Sequence, residues 1–264
     1  MPRPIALLSD FGSADGFVGA VKCVLLSRCP QATLIDLTHE ISPHDVFGGA
    51  LILRACAPYA PVDTVFLAVV DPGVGSERRA ICIRCGSRLF VGPDNGLLWA
   101  AAAQFGEPEC WELNNSRFWL PHPAPTFHGR DVFAPVAAAL ALGRAPEDFG
   151  PKIQDPAPLH LPEPIRATDS PDAEVVGEVL HVDRYGNCLT NITSVHLDDP
   201  GINGWTFHWD GGSVDGPAPC YASVPVGRPV VVLSSLGSYE LALREGNAAR
   251  ALNLRRGSRL SATR

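Results

Sequence analysis

Thr64-Val65-Phe66-Leu67-Ala68-Val69-Val70 is a run of seven uncharged, almost wholly apolar residues, and it leads directly into Asp71-Pro72-Gly73-Val74-Gly75-Ser76-Glu77-Arg78. A strand with one wet face alternates apolar and polar residues. A run without alternation belongs to a strand covered on both faces, the usual condition of a parallel sheet between two layers of helices. A second short apolar run, Ile5–Ser9, ends the same way, in Asp10. Between the two, Phe17, Val18, Val21, Val24 and Leu25 recur at helical spacing, and Thr33–Leu37 reads as a strand. Ser42-Pro43-His44-Asp45 has the make-up of an N-cap, a first-turn proline and an acidic first turn, for a helix running to about Ala57. Further on come strands near Ala80–Arg84 and Arg88–Val91, a helix through Leu97–Phe105, and a helix near Asp131–Leu142 that stops at Gly143. The alternation predicts an α/β domain with a mostly parallel sheet over residues 1–155.

Six of the 25 prolines fall between positions 151 and 173, which predicts a stiff Pro-rich linker over 156–173. Beyond it the texture changes. Glu174–Val182, Cys188–Ile192, Trp205–Trp209 and Pro229–Ser234 are strand-like, Gly and Pro punctuate them, and no long helical period follows. A small all-β domain, barrel-like, is expected over 174–264.

Hydrophobic residues make up 46% of the 264 and charged residues 19%, an ordinary soluble composition. The 21 Lys and Arg stand against 28 Asp and Glu, a formal net charge of −7 with no basic run. Nucleic acid and anionic membrane are therefore poor partners, while a cationic small molecule suits the balance. Ile5–Leu8 is too short for a signal-peptide core, and no apolar run approaches a membrane span, so the cytoplasm is the expected location. The eight cysteines show no disulfide or zinc spacing. Cys82-Ile83-Arg84-Cys85 lies within a strand rather than at a helix start, and buried free thiols are expected.

Asp10 and Asp71 each follow an apolar strand, and ligands of open α/β sheets bind outside the carboxyl ends of strands. Either aspartate alone is explained as a cap for the next turn; the pair points to one acidic crevice. Gly73 and Gly75 free the backbone to approach a ligand. Arg78 replaces the third glycine of a dinucleotide fingerprint and no helix pattern follows, which disfavours a Rossmann oxidoreductase. Gly92-Pro93-Asp94-Asn95-Gly96 is accounted for by turn chemistry, as are Asp183-Arg184-Tyr185-Gly186-Asn187, Ser234–Gly237 and Gly246–Ala249. His128, within Thr126-Phe127-His128-Gly129-Arg130-Asp131, reads as a surface or capping residue, and no ligand set for a metal is clustered in the sequence. From the residues alone the reaction stays open.

Taken in order, Leu8–Gly12, Asp36–His39, Asp71–Ser76, Gly92–Gly96, Thr126–Asp131, Asp183–Asn187 with Thr190-Asn191-Ile192, Ser235 and Gly246–Ala249 resemble the successive signatures of the S-adenosyl-L-methionine (SAM) hydroxide adenosyltransferases, relatives of the fluorinases. The resemblance covers nearly the whole chain. It implies an α/β domain followed by a β-barrel, a homotrimer with each active site between subunits, and hydrolysis of SAM to adenosine and methionine. It maps the catalytic set onto Asp71, Arg78 and His128, the ribose-binding carboxylate onto Asp10, and the methionine-binding residues onto Asp183, Asn187 and Ser235. The adenine-contacting turn maps onto Asn247 and Ala248. The sulfonium leaves as a neutral thioether, so neither metal nor redox cofactor is required. The halogenases of the same fold carry an extra loop after the glycine turn and lack the full Asp/Arg/His set; here Arg78-Arg79 runs straight into Ala80. A non-catalytic SAM or adenosine sensor and a SAM-dependent halogenase remain the alternatives.

Overall fold

In the computed structural model the chain is described at residues 1–167, 174–197 and 204–264, in two units, Met1–His160 and Leu161–Arg264. The first contains β1 (Ile5–Ser9), α1 (Phe17–Arg28), β2 (Leu34–Thr38), α2 (Val46–Cys56), β3 (Val65–Val69), β4 (Ala80–Cys85), β5 (Arg88–Pro93), α3 (Trp99–Ala102), β6 (Glu109–Glu112), α4 (Ala134–Ala141) and β7 (Lys152–Ile153). They form one seven-stranded sheet in the order β2-β1-β3-β5-β4-β6-β7. The strands from β2 to β5 run parallel, and β4, β6 and β7 add an antiparallel flank.

β3 has parallel neighbours on both sides and is buried throughout. Val65, Leu67 and Val69 pack into a core with Val21 and Leu25 of α1 and Val136 and Leu140 of α4. Phe66, Ala68 and Val70 face the opposite core, with Ala50 and Leu53 of α2 and Ala101 of α3. The unbroken apolar run is the consequence: alternate side chains enter two different dry layers.

The structure departs from the sequence reading at several ends. α2 is capped by Asp45, whose carboxylate accepts from the Gly48 amide at 2.9 Å, three residues after the expected cap at Ser42. His44 has φ +66°, a left-handed conformation that a helix cannot pass through. The helix expected from Asp131 begins as a π turn over Gly129–Phe133, and α4 proper starts at Ala134. The flank strands β6 and β7 are too short to show a period in the sequence.

The second unit holds β8 (Ile165–Ala167), β9 (Glu174–Val182), β10 (Cys188–Thr193), β11 (Trp205–Trp209), β12 (Gly212–Gly216), β13 (Pro229–Leu233), β14 (Ser238–Leu243), α5 (Ala248–Ala251) and β15 (Arg259–Thr263). Its sheet is antiparallel throughout, ordered β12-β11-β15-β9-β10-β14-β13, with β8 added on β9. Ala218, just after β12, donates its amide to Val231 of β13 at 2.7 Å, so the two ends of the sheet meet in a nearly closed barrel. Val175, Val179, Cys188, Phe207, Val231, Leu241 and Leu260 fill it. Of the stretch 156–173 expected as a linker, Leu159 packs on the first unit, Ile165–Ala167 pairs as β8, and 168–173 lie outside the described residues. Among the described residues no helix is long and apolar enough to cross a membrane.

Gly92 sits on β5 where an added Cβ would collide with the Ala68 carbonyl of β3. Gly92→Ala must push apart the two central strands and is expected to cost about 1–3 kcal/mol, read as a lowered urea midpoint at unchanged m-value.

Candidate functional site

β1 and β3 pair in parallel with Ser9 opposite Val69, so their continuations emerge side by side at the carboxyl edge of the sheet. Asp10 and Asp71 thereby line one crevice of about 290 Å³, with His44 and His128. Phe11, Phe17 and Phe127 form its apolar wall, with Phe11–Phe127 and Phe17–Phe127 in edge-to-face contact at 5.7 and 5.4 Å. Asp10 accepts from the backbone amide of His44 at 2.9 Å, which is where the left-handed residue places its N–H.

Asp71 is gripped by Arg78 across the glycine turn. Arg78 Nε donates to both carboxylate oxygens, at 2.9 and 3.1 Å, and Nη2 donates to Oδ2. The same Nη2 lies 2.9 Å from His128 Nδ1, and Nη1 donates to the carbonyl of Arg79 at 3.3 Å. The guanidinium also stands over the Phe133 ring, 5.2 Å from its centroid. Only 11% of the Arg78 side chain and 6% of Asp71 are exposed, so each charge depends on the other for its solvation. Gly75, at φ +79°, lets the turn lie against the Pro125 carbonyl, where a Cβ would come within 2.8 Å; this contact brings the turn to the loop that carries His128. That loop is fixed from behind by buried Asp131, which accepts from the Ala124 amide at 2.8 Å and is paired with Arg130.

The protonation state of His128 follows from the geometry. A guanidinium has no acceptor, so Nδ1 must accept from Arg78 and the imidazole is the neutral Nε2–H tautomer. Burial, and then the positive charge of Arg78, holds the His128 pKa below its ordinary value, in keeping with that state. His128 therefore offers the crevice a donor.

Gly92–Gly96 does more than turn the chain. Asn95 Nδ2 donates to the Val70 carbonyl at 2.8 Å, and Asp94 pairs with Arg79 at 2.7 Å. Behind Asp10, the Phe11 amide lies 3.4 Å from Ser9 Oγ, Ser9 Oγ 2.7 Å from His39 Nδ1, and His39 Nε2 3.1 Å from Asp36. Sequence reasoning missed the aromatic wall, although Phe11 and Phe127 sit inside quoted motifs and Phe17 is a half-exposed aromatic at a helix start.

In the second unit, Asp183 Oδ1 accepts from the amides of Tyr185 and Asn187, at 2.9 and 2.8 Å, and Oδ2 from Asn187 Nδ2 at 3.0 Å. Gly186, at φ +86°, packs directly on the Asn247 side chain, and its carbonyl accepts from the Ala249 amide at 2.9 Å. Asn247 caps α5 through the Arg250 amide, and Ala248 is buried beneath. Asp183, Asn187, Asn247 and Ala248 thus share one end of the barrel. Ser235 does not join them: it is exposed on the β13–β14 hairpin, at the opposite end of β10, where Thr193 pairs with Ser238. Buried Glu240, unforeseen in the sequence, accepts from the Tyr221 hydroxyl, and burial pushes its carboxyl pKa up.

Among the described residues no group of three or more His, Cys, Asp or Glu side chains could hold a metal ion. The cysteines are free thiols, and burial raises the pKa of Cys82 and pushes that of Cys110 up to about 12.

Two family models match the chain: the SAM hydroxide adenosyltransferase N-terminal domain over residues 5–150 and the C-terminal domain over residues 177–261. An (R)-S-adenosyl-L-methionine hydrolase of Thermus thermophilus is 39% identical, over 97% of this chain and 97% of its own length. A fluorinase of Actinopolyspora mzabensis is 29% identical, over 99% of this chain and 98% of its own. A crystal structure of an uncharacterized conserved protein from Thermotoga maritima superposes with a TM-score of 0.90 at 33% identity, covering 98% of this chain and all of that one.

The Nδ1 contact is open to test by ring NMR. His128 should titrate below the ordinary histidine value near 6.5, because burial and Arg78 both disfavour its charged form. In Arg78→Gln the repulsion is gone and the Asp71 charge remains, so the titration should move up. As pH falls below the ordinary value the unfolded chain takes up this proton first, so His128 lowers stability there and has no such effect at neutral pH. A wild-type titration at or above the ordinary value is incompatible with the Arg78 bond.

Proposed function

We propose, from the fact that the chain belongs to the SAM hydroxide adenosyltransferase family, that it hydrolyses SAM to adenosine and L-methionine by attack of water on C5′. The observation that carries the reading is Arg78, held by Asp71 and donating to His128 at the edge of a crevice that also presents Asp10. Water forms a C5′–O bond as the C5′–S bond breaks; the electron pair leaves on sulfur as a neutral thioether, and one proton is released per turnover. Little of the barrier requires stabilising the leaving group. The task is to hold one water in line with C5′ and sulfur and to accommodate its developing hydroxide character. In this reading His128 donates Nε2–H to that oxygen. Asp71 still has acceptor sites beyond those Arg78 occupies, and it orients the water and receives its proton. Arg78 holds the carboxylate in place and keeps the imidazole in the donating tautomer.

Asp10 suits the paired ribose hydroxyls, with one oxygen committed to His44 and the other free of partners among the described residues. The aromatic wall of Phe11, Phe17 and Phe127 offers the nucleoside an apolar face. Asp183 and Asn187 are proposed for the methionine ammonium and carboxylate, with Ser235, and Asn247 and Ala248 for adenine. A homotrimer with active sites between subunits is the assembly that the family membership suggests. Eight free thiols suit a reducing compartment, and we place the protein in the cytoplasm. No cofactor enters the proposed chemistry.

Incubation with SAM in isotope-labelled water, with chelator present, should yield adenosine bearing the label at the 5′ oxygen, at a rate indifferent to chloride or fluoride. A carboxylate at the nucleophile position favours a water hydrogen bond and repels a halide. A 5′-halo-5′-deoxyadenosine product would establish a halogenase instead, and intact SAM with tight adenosine binding would establish a sensor. Light scattering should give three times the chain mass; a fully active monomer rules out the shared site.

A further inference from the structure

We propose that Asn95 and Asp94 are positioning residues for the catalytic turn, gripping it at both ends so that Asp71 and Arg78 keep their mutual geometry. The inference rests on the reading of Asp71 and Arg78 given above.

Asp71 and Arg78 are the first and eighth residues of a turn without helix or strand, and its ends are Val70 and Arg79. Both ends are held from one pentapeptide. At the leading end, Asn95 Nδ2 donates to the carbonyl of Val70 at 2.8 Å, while Asn95 Oδ1 accepts from the Leu97 amide at 3.2 Å. Val70 is fully buried, so its carbonyl has no water to fall back on. One side chain here must donate on one side and accept on the other at short reach. Asparagine does both; aspartate cannot donate and glutamine is a methylene too long.

At the trailing end, the Asp94 amide donates to the Arg79 carbonyl at 3.0 Å, and Asp94 Oδ2 accepts from Arg79 Nε at 2.8 Å. The Asp94 side chain is 4% exposed, and its other oxygen accepts from the Ala157 amide at 2.7 Å. Asp155 takes the remaining side of Arg79, with its side chain at 2.8 Å and its carbonyl at 2.6 Å. The held Arg79 carbonyl is itself the acceptor of Arg78 Nη1. The guanidinium is therefore located by three groups: Asp71, whose backbone follows the carbonyl that Asn95 holds; His128; and a carbonyl that Asp94 holds. A relaxed clamp would let the planar fork rotate away from His128 without emptying the crevice, since neither Asn95 nor Asp94 lines it.

A positioning role predicts loss of rate without loss of binding. Asn95→Asp keeps the shape and the bond from Leu97 but removes the donor to Val70. Its kcat should fall by about tenfold or more, a displacement of well under 1 Å being enough, with KM for SAM and the adenosine dissociation constant within about twofold of wild type. Melting curves under assay conditions verify that the variant is folded. Asp94→Asn, also isosteric, leaves the amide bond to the Arg79 carbonyl and removes the charge that anchors the Arg79 guanidinium; it should give the same split with a smaller fall, and it decides the matter if Asn95→Asp does not fold. Asp71→Asn is run in parallel. If it abolishes turnover while both clamp variants keep the wild-type kcat, or lose rate and affinity in proportion, the clamp proposal is wrong and the reading of Asp71 stands. If Asp71→Asn retains full turnover, the reading of Asp71 fails, and the clamp proposal with it.

Discussion

The parallel pairing of β1 with β3 is the constraint from which the site follows. Ser9 lies opposite Val69, so the two chains leave the sheet together and deliver Asp10 and Asp71 to one edge. That register is not free to slip. A shift of one residue would exchange the two layers of β3, sending Phe66, Ala68 and Val70 into the space shaped for Val65, Leu67 and Val69. The burial energy of two cores thus holds two carboxylates together that would otherwise repel one another. No local interaction between them is needed, and none is found among the hydrogen bonds of the described residues.

Arg78 then converts an acidic edge into an ordered site. Its fork grips a carboxylate in three bonds and still has donors for His128 and for the Arg79 carbonyl. A lysine could match the charge but not the three directions at once. Burial sharpens the arrangement, because with little solvent, water does not compete for the pair. The π turn at Gly129–Phe133 belongs to the same design: it shifts the register between His128 and α4, so that the histidine faces Arg78 while Phe133 supports the guanidinium.

The second unit repeats the logic with hairpin turns. Gly186 and Asn247 fit each other so closely that two turns far apart in sequence become one surface holding Asp183, Asn187 and Ala248. Glu240 and Tyr221 add a half-buried polar contact within reach of the Asp183 charge, on the face of β14 opposite the main core. Polar groups sit at barrel ends and apolar groups fill the interior, as an antiparallel barrel of this size requires.

Sequence by itself determined the order of layers, the doubly covered β3, the change to an all-β second half, and the two aspartates at strand ends. All of these are written in neighbouring residues, through periodicity, turn composition and the covalent step from strand to loop. From its residues His128 read as a surface or capping group, and Gly92–Gly96 as a turn complete in itself; only the resemblance grouped His128 with Asp71 and Arg78. Tertiary structure alone decided that Arg78 reaches a histidine 50 positions away, that Asn95 holds a carbonyl 25 positions back, and that Ser235 and Asp183 occupy opposite ends of one strand. It also set the left-handed His44 and the late start of α2, where the demand comes from Asp10 and not from the helix. Local patterns are fixed by residues that are bonded or one turn apart. Long-range hydrogen bonds depend on how whole layers pack, and no window of sequence contains both partners.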